Sequence, residues 1–159
     1  MVRAAAYIIT LLFTLLTTGC SYPGKEYSYC EFDIHNGWSG SPVEFELDIT
    51  DTLVPLQMDI LGHIATDSYL NNIQGYPLYI YFHTPDNHVY ADTITLPIHV
   101  KRDENILRKG HSCVEILWNY RKNIINNKPG RWKIELAQAD TIRYNNIIGL
   151  GISVTEYER

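Results

Sequence analysis

The side chains best suited to acid–base or metal chemistry in this sequence are its six histidines and its acidic residues. The histidines are scattered, and none shows the helical i, i+4 spacing or the Cys/His spacing of a zinc site. His83 and His88 flank the turn Pro85-Asp86-Asn87 and could approach each other across a hairpin, but strand-end histidines at a surface are the simpler interpretation. The acidic residues form no dense oxygen-ligand loop of the kind that calcium favours. We therefore predict neither a metal site nor a cofactor.

Covalent catalysis has no motif in this chain. There is no Gly-x-Ser-x-Gly elbow and no phosphate-binding loop. Two carboxylates of a glycosidase could lie anywhere among the 18 Asp and Glu residues, because such pairs have no fixed sequence spacing. The length of the chain and the lack of any motif favour a non-catalytic protein without catalytic residues.

The three tryptophans raise the question of ligand stacking. Trp38 lies in the glycine-rich turn Asn36 to Ser41, which makes it the best candidate of the three for an exposed ring. An exposed indole offers a flat apolar face on which a sugar ring can stack. Core packing is the alternative, and we expect it for Trp132, which alternates with Ile134 and Leu136. Trp38 is therefore the candidate ligand platform.

The N-terminus carries a targeting pattern. Arg3 precedes an apolar run from Ala4 to Leu16, which has the length of a secretory signal and falls short of the ~20 residues that span a bilayer. The run ends in Gly19-Cys20-Ser21 and resembles a bacterial lipoprotein signal, in which the cysteine is acylated and the chain is cut before it. Leu16 stands one position further from Cys20 than the usual aliphatic residue. The alternative is an ordinary signal peptide with a chance cysteine.

This resemblance divides the chain and implies a location. Residues 1–19 would be the signal peptide, residues 20–27 the lipidated cysteine and its tether, and residues 28–159 the folded domain. The lipid would make the membrane a partner of the chain, since each buried CH₂ contributes about 0.8 kcal/mol. Ser21 to Glu26 carry one acid and one base instead of an acidic cluster, and no Asp follows Cys20. We therefore expect an outer-membrane lipoprotein that faces the periplasm.

Two further cysteines, Cys30 and Cys113, remain if Cys20 is lipidated. An even number of cysteines in an oxidising compartment is compatible with one disulfide, which would join an early strand to a late one. Two unpaired cysteines that pack as small hydrophobic residues are equally compatible with the sequence. Bonding requires Cα atoms within about 7 Å, and the sequence does not provide that distance.

The overall charge excludes one class of partner. The chain has 159 residues, with 13 Lys and Arg against 18 Asp and Glu, for a net charge of −5. No basic block or stripe is present, so nucleic acid is not an expected partner. After the signal is removed, the remaining length corresponds to about one domain.

The elements that position these residues are predicted to be strands, because the chain holds 12 Tyr and 3 Trp. Val43 to Thr50 is the clearest, since apolar and acidic residues alternate along it. Lys101 to Gly110 could be a helical turn or a loop. We predict an all-β, antiparallel two-sheet β-sandwich, Ig-like or jelly-roll-like, of about eight strands: Tyr27–His35, Val43–Thr50, Leu56–Ala65, Leu78–Phe82, His88–Ile98, Ser112–Tyr120, Arg131–Ala139 and Ile147–Glu156.

Several short patterns occur in the same order as in one known family. They are Tyr29-x-x-Phe32, Trp38, Pro42-Val43-x-Phe45, Asp51-Thr52, Leu78 to Phe82, Pro85-Asp86, Asp92-Thr93, Pro129-Gly130-x-Trp132-x-Ile134-Glu135-Leu136-Ala137-Gln138-Ala139 and Gly149-Leu150-Gly151-Ile152. Because these patterns follow a lipoprotein-like signal in this order, the mature chain resembles the gliding motility-associated lipoproteins usually called GldH. It departs from them at Val100 to Gly110, where the family carries a Gly-Trp loop, and at Asp140-Thr141, where the family has Met-Arg.

The resemblance implies a non-catalytic cell-envelope lipoprotein that acts, with envelope protein partners, in a membrane-associated motility assembly. It supplies no catalytic residues. The alternative is a glycan-binding envelope lipoprotein that uses Trp38 and neighbouring tyrosines. An envelope hydrolase is a third and least favoured interpretation.

Overall fold

The computed structural model of the chain describes residues 25–50, 53–65, 75–97, 106–110, 112–125, 128–141 and 144–157. Within these ranges the secondary structure consists of strands, and no helix there has the length and hydropathy to cross a membrane. The strands are β1 (Lys25–Glu31), β2 (Val43–Ile49), β3 (Leu56–Ala65), β4 (Gly75–His83), β5 (Val89–Pro97), β6 (Ile106–Lys109), β7 (Cys113–Ile124), β8 (Gly130–Gln138) and β9 (Ile147–Glu156).

The strands form two antiparallel sheets, a larger one in the order β1-β9-β3-β7-β6 and a smaller one in the order β2-β8-β4-β5. The pairing is nested: β1 pairs with β9, β2 with β8, β3 with β7 and β4 with β5. A long hairpin folded over itself gives this order, which is that of a jelly roll. The predicted all-β two-sheet sandwich is confirmed, and the pairing selects the jelly-roll form. Strand β6 extends the edge of the larger sheet.

Strand β2 shows why the sequence forms this sandwich. Its burial alternates strictly, and the side chains from Val43 to Ile49 at every second position lie in the core. The intervening acidic residues face solvent and meet cations on β8, where Lys133 Nζ lies 2.8 Å from Glu44 Oε1. The bond to Glu44 raises the pKa of Lys133. Alternation therefore places one face of β2 in the core and the other in an exposed charge ladder.

Strand β9 is buried along almost its whole length, from Ile147 to Val154. It lies between β1 and β3 in the larger sheet, and Tyr29 of β1 covers its outer face. Two glycines make this cover possible: a Cβ on Gly149 would collide with the Tyr29 hydroxyl, and one on Gly151 would lie 2.9 Å from the Tyr29 ring. The glycines therefore let an aromatic ring lie flat on the outer face of the sheet.

Several predicted boundaries need correction: β4 starts three residues earlier than predicted, at Gly75, and β7 continues four residues further, to Ile124. Strand β1 begins at Lys25, because Lys25 already pairs with Thr155, so residues 25–27 of the predicted tether lie in the strand. Strand β1 also ends early, at Glu31, because Asp33 begins a turn and accepts hydrogen bonds from the backbone N–H groups of His35 and Asn36. These bonds lower the pKa of Asp33. Finally, 106–109 is neither a helical turn nor a loop but strand β6, because it pairs with β7.

Candidate functional site

An apolar cleft opens between the two sheets at one end of the sandwich. Seven strands contribute to it, because each ends or begins there, and its volume is about 260 Å³. Its lining is almost entirely hydrophobic, with a single cationic side chain, and consists of Ile49, Leu56, Met58, Phe82, Tyr90, Tyr120, Arg121, Ile124, Trp132 and Val154. We call this the end cleft.

Two polar groups in the lining of the end cleft are already engaged with the protein. The Tyr120 hydroxyl donates to Asp92 Oδ2 at 2.8 Å, and Trp132 Nε1 donates to the Lys128 carbonyl oxygen at 2.9 Å. Burial, followed by the bond to Asp92, raises the pKa of Tyr120 to about 12. The guanidinium carbon of Arg121 lies 5.5 Å from the centre of the Tyr120 ring, within the distance of a cation–π contact. The end cleft therefore presents apolar surface and one cation to a ligand.

The strand register places the start of the folded chain beside this cleft. Glu26 pairs with Val154, Val154 pairs with Met58, and Met58 pairs with Arg121. The last three of these residues line the end cleft. Strand β1 therefore starts at the end of the sandwich where the cleft opens.

A second depression lies on the outer face of the larger sheet. The stacked rings of Tyr27 and Tyr29, whose centres are 6.2 Å apart, lie beside Glu31, His63 and Glu115. The volume of this depression, which we call the tyrosine pocket, is about 310 Å³.

Hydrogen bonding in the tyrosine pocket is incomplete. His63 Nδ1 lies 3.3 Å from the Tyr29 hydroxyl oxygen, whereas its Nε2 atom is buried without a hydrogen-bond partner among the described residues. Burial, with the nearby Glu31 carboxylate, raises the pKa of Tyr29 to about 12. Aromatic faces, carboxylates and an imidazole are together a polar binding surface, unlike the end cleft.

Trp38 does not form a ligand platform, and this prediction is wrong. Its side chain is 1% exposed and stacks on Phe32, with the ring centres 6.0 Å apart. Its Nε1 atom donates to the Ser41 carbonyl oxygen at 2.8 Å. Gly37 has a φ of +59°, and a Cβ there would collide with the backbone of Asn145. The glycine-rich turn therefore packs closely against the backbone at Asn145, and the indole lies in the core instead of facing solvent.

Of the two alternatives left open for Cys30 and Cys113, the structure has the second: both cysteines are free. Cys30 lies on β1 and Cys113 on β7, and the larger sheet places β9 and β3 between these strands. Three strand spacings amount to about 14 Å, whereas a disulfide needs Cα atoms within about 7 Å. The lipidation site Cys20 lies outside the described residues.

No group of three or more His, Cys, Asp or Glu side chains in the described ranges is placed to hold a metal ion. His83 and His88 lie at the ends of the β4–β5 hairpin but interact with different acids. His83 Nε2 lies 4.0 Å from Glu135, and His88 Nδ1 lies 3.0 Å from Asp86. Asp86 also bonds Lys128 and Thr84, and these bonds hold its pKa below the usual range. This cluster fixes the hairpin turn.

Comparison with known proteins gives only distant likenesses. No family model matches the chain, and no curated protein matches it. A crystal structure of a protein from Sulfurospirillum deleyianum is similar with a TM-score of 0.43 and 11% identity, over 87% of this chain and 100% of that one. Dimeric latent PorU from Porphyromonas gingivalis is similar with a TM-score of 0.38 and 9% identity, over 87% of this chain and 14% of PorU. Likenesses this distant carry no functional argument.

Proposed function

We propose that this chain is a non-catalytic cell-envelope lipoprotein, anchored to the outer membrane through acylated Cys20 and facing the periplasm, that acts in a membrane-associated assembly of the gliding-motility type. Two features of the sequence support the proposal: the lipoprotein-like signal that ends at Cys20, and the ordered motifs that resemble the GldH family. The structural observation that carries it is the position of Lys25, where the chain enters the sandwich at the end that bears the apolar cleft.

This position supports one orientation of the domain on the membrane. Residues 21–24 separate the proposed lipidated cysteine from β1, and the five residue steps from Cys20 to Lys25 reach about 17 Å when fully extended. The end cleft is therefore held near the lipid headgroups, while the outer faces of both sheets stay open to the periplasm. Of these faces, the tyrosine pocket is the better partner surface, because Tyr is enriched at protein interfaces and Tyr27 is 52% exposed.

Photo-crosslinking in intact cells tests this proposal. A photoreactive amino acid replaces Tyr27 in the tyrosine pocket or, as a matched control, Tyr79, which is 39% exposed on the smaller sheet. We expect adducts with other envelope proteins from the Tyr27 position, and few from the Tyr79 position. A protein that stays in the soluble fraction, or that gives no adducts from position 27, would contradict the proposed assembly.

Glycan binding is a second candidate function, and its candidate residues are those of the tyrosine pocket instead of Trp38. The stacked Tyr27 and Tyr29 rings beside Glu31 and Glu115 favour it, because aromatic faces and carboxylates together suit a sugar ring and its hydroxyl groups. On a glycan array, Tyr29→Ala should abolish any binding, whereas Tyr79→Ala should preserve it. Binding that survives Tyr29→Ala would remove the tyrosine pocket as the sugar site.

A further inference from the structure

The chemistry of the end cleft selects an apolar ligand. The Tyr120 hydroxyl and the Trp132 N–H, which could orient a polar ligand, already donate to Asp92 and to the Lys128 carbonyl. What the cleft offers is hydrocarbon and aromatic surface, with the Arg121 guanidinium against the Tyr120 ring. Burying apolar surface is favourable in proportion to its area, by about 25 cal/mol per Å². A flexible hydrocarbon chain fits this lining, and a sugar does not.

The size of the end cleft sets an upper limit on its occupant. Its volume of about 260 Å³ exceeds the ~150 Å³ of an apolar cavity that binds benzene. It is slightly smaller than the ~300–1,000 Å³ typical of sites for drug-sized ligands. The end cleft therefore has room for part of a single acyl chain, and not for a whole folded lipid.

The surroundings of the cleft add exposed apolar side chains. Leu53 is 93% exposed, Ile125 59% and Tyr90 57%. Leu53 precedes β3, Ile125 follows β7, and Tyr90 stands near the start of β5, so all three lie at the end of the sandwich where the cleft opens. Single exposed apolar residues are ordinary on a protein surface. Here three exposed apolar side chains lie at one end of the domain, the end to which the proposed membrane tether connects. This group is suited to contact with a bilayer interface.

We infer that the end cleft binds part of one acyl chain of a membrane phospholipid, with Arg121 placed to contact the lipid phosphate. The orientation rests on the proposed anchor at Cys20, since the five residues before Lys25 hold this end against the headgroups. Arg is well suited to phosphate, which its planar guanidinium can bind through two parallel hydrogen bonds. Lipid in the cleft would fix the domain upright on the membrane and leave the tyrosine pocket free for a partner.

Fluorescence quenching by brominated lipid tests this inference directly. The chain purified from cells is mixed with vesicles of phosphatidylethanolamine and phosphatidylglycerol whose acyl chains are brominated, because bromine quenches tryptophan on contact. Trp132 lines the cleft, whereas Trp38 packs near Ile147, about 23 Å of strand away from Val154. The third tryptophan, Trp118, has its ring centre 6.1 Å from that of Tyr120, so the measurement is made in a Trp118→Phe background. We expect strong quenching in this background and the loss of most of it when Trp132→Phe is added.

Two matched variants test the role of the cation. Arg121 lines the cleft, and Lys122 is its exposed neighbour on β7 outside the lining. Arg121→Gln should weaken the binding of a brominated lysophospholipid about tenfold, as expected for the loss of a charged hydrogen bond, and Lys122→Gln should change it less than about twofold. Comparing these two variants also tests lipid binding in the end cleft if Trp132→Phe does not fold. Equal effects of the two variants would overturn the assigned role of Arg121.

The mass of the N-terminal peptide in the same preparation separates this inference from the proposed function. If Cys20 is acylated and Trp132 stays unquenched on vesicles, the anchor stands and the lipid site is wrong; an apolar segment of a protein partner would then be the occupant. If Cys20 is unacylated and Trp132 is quenched, the proposed anchor fails and the lipid site stands. If Cys20 is unacylated and Trp132 is unquenched, both are overturned.

Discussion

Glu26 of β1 lies directly opposite Val154 of β9, and Val154 lines the end cleft. Because the two strands are antiparallel, this pairing fixes the start of β1 at the cleft end and sends the chain away from it. A lipid attached a few residues earlier would therefore hold the cleft, and not the opposite end near Trp38, against the membrane. The register that builds the end cleft therefore also sets where the proposed anchor would lie.

Trp38 should be a stability residue. Trp38→Ala should lower the free energy of unfolding by about 3–5 kcal/mol, because a side chain that is 1% exposed would leave a cavity and lose the bond to Ser41. Urea unfolding followed by circular dichroism measures the change. Tyr27→Ala is the control. Because the Tyr27 side chain is 52% exposed, this substitution should lower the free energy of unfolding by at most about 0.5 kcal/mol. Equal effects from the two variants would contradict the core assignment.

The parts of the fold that depend on local alternation could be predicted from the sequence. The bounds of β3 and β9 are confirmed at Leu56–Ala65 and Ile147–Glu156, and β2 differs by one residue. The burial of Trp38 could not be predicted, because the composition of a glycine-rich turn indicates its flexibility and not the side on which its aromatic residue packs. Phe32, which stacks on Trp38, was the one available signal.

The two thiols should be free in protein isolated from the envelope. Because β9 and β3 separate the strands of Cys30 and Cys113, no bond can form without breaking the larger sheet. Alkylation after denaturation without reductant, followed by mass spectrometry, should label both residues. A peptide in which Cys30 and Cys113 are linked would contradict the strand order.

Alkaline pH should destabilise the fold through its buried tyrosines. Burial raises the pKa of fully buried Tyr76 and of half-buried Tyr120 to about 12, above the ordinary value of 10.0. The folded state thus holds these protons more firmly than the unfolded state, so this contribution to stability is complete below pH 10 and is lost as the pH rises towards about 12. Tyrosinate absorbance measured together with circular dichroism should show this, and Tyr120→Phe should reduce the loss. Tyrosines that all titrate at their ordinary pKa, before any unfolding, would refute the buried environments.

The end cleft could not be predicted, because its residues share no sequence spacing. They come from the ends of seven strands, from Ile49 to Val154, and only the nested strand order brings them together. The same holds for the tyrosine pocket, where Tyr29 and His63 meet across β9. The alternation of Tyr27, Tyr29 and Glu31 along β1 indicates a shared face, but Glu115 reaches this face only through the pairing that places β7 in the same sheet.

The intact mass of the mature protein, recovered from the membrane fraction, tests the central claim most directly. We expect a chain that begins at Cys20 and carries fatty acyl groups there, and we expect Cys20→Ala to lose these groups and to leave the membrane. Cys30→Ala is the matched control and should stay acylated, because Cys30 lies within β1. A membrane-bound chain that keeps residues 1–19 and has no acyl mass on Cys20 would contradict the proposed lipid anchor.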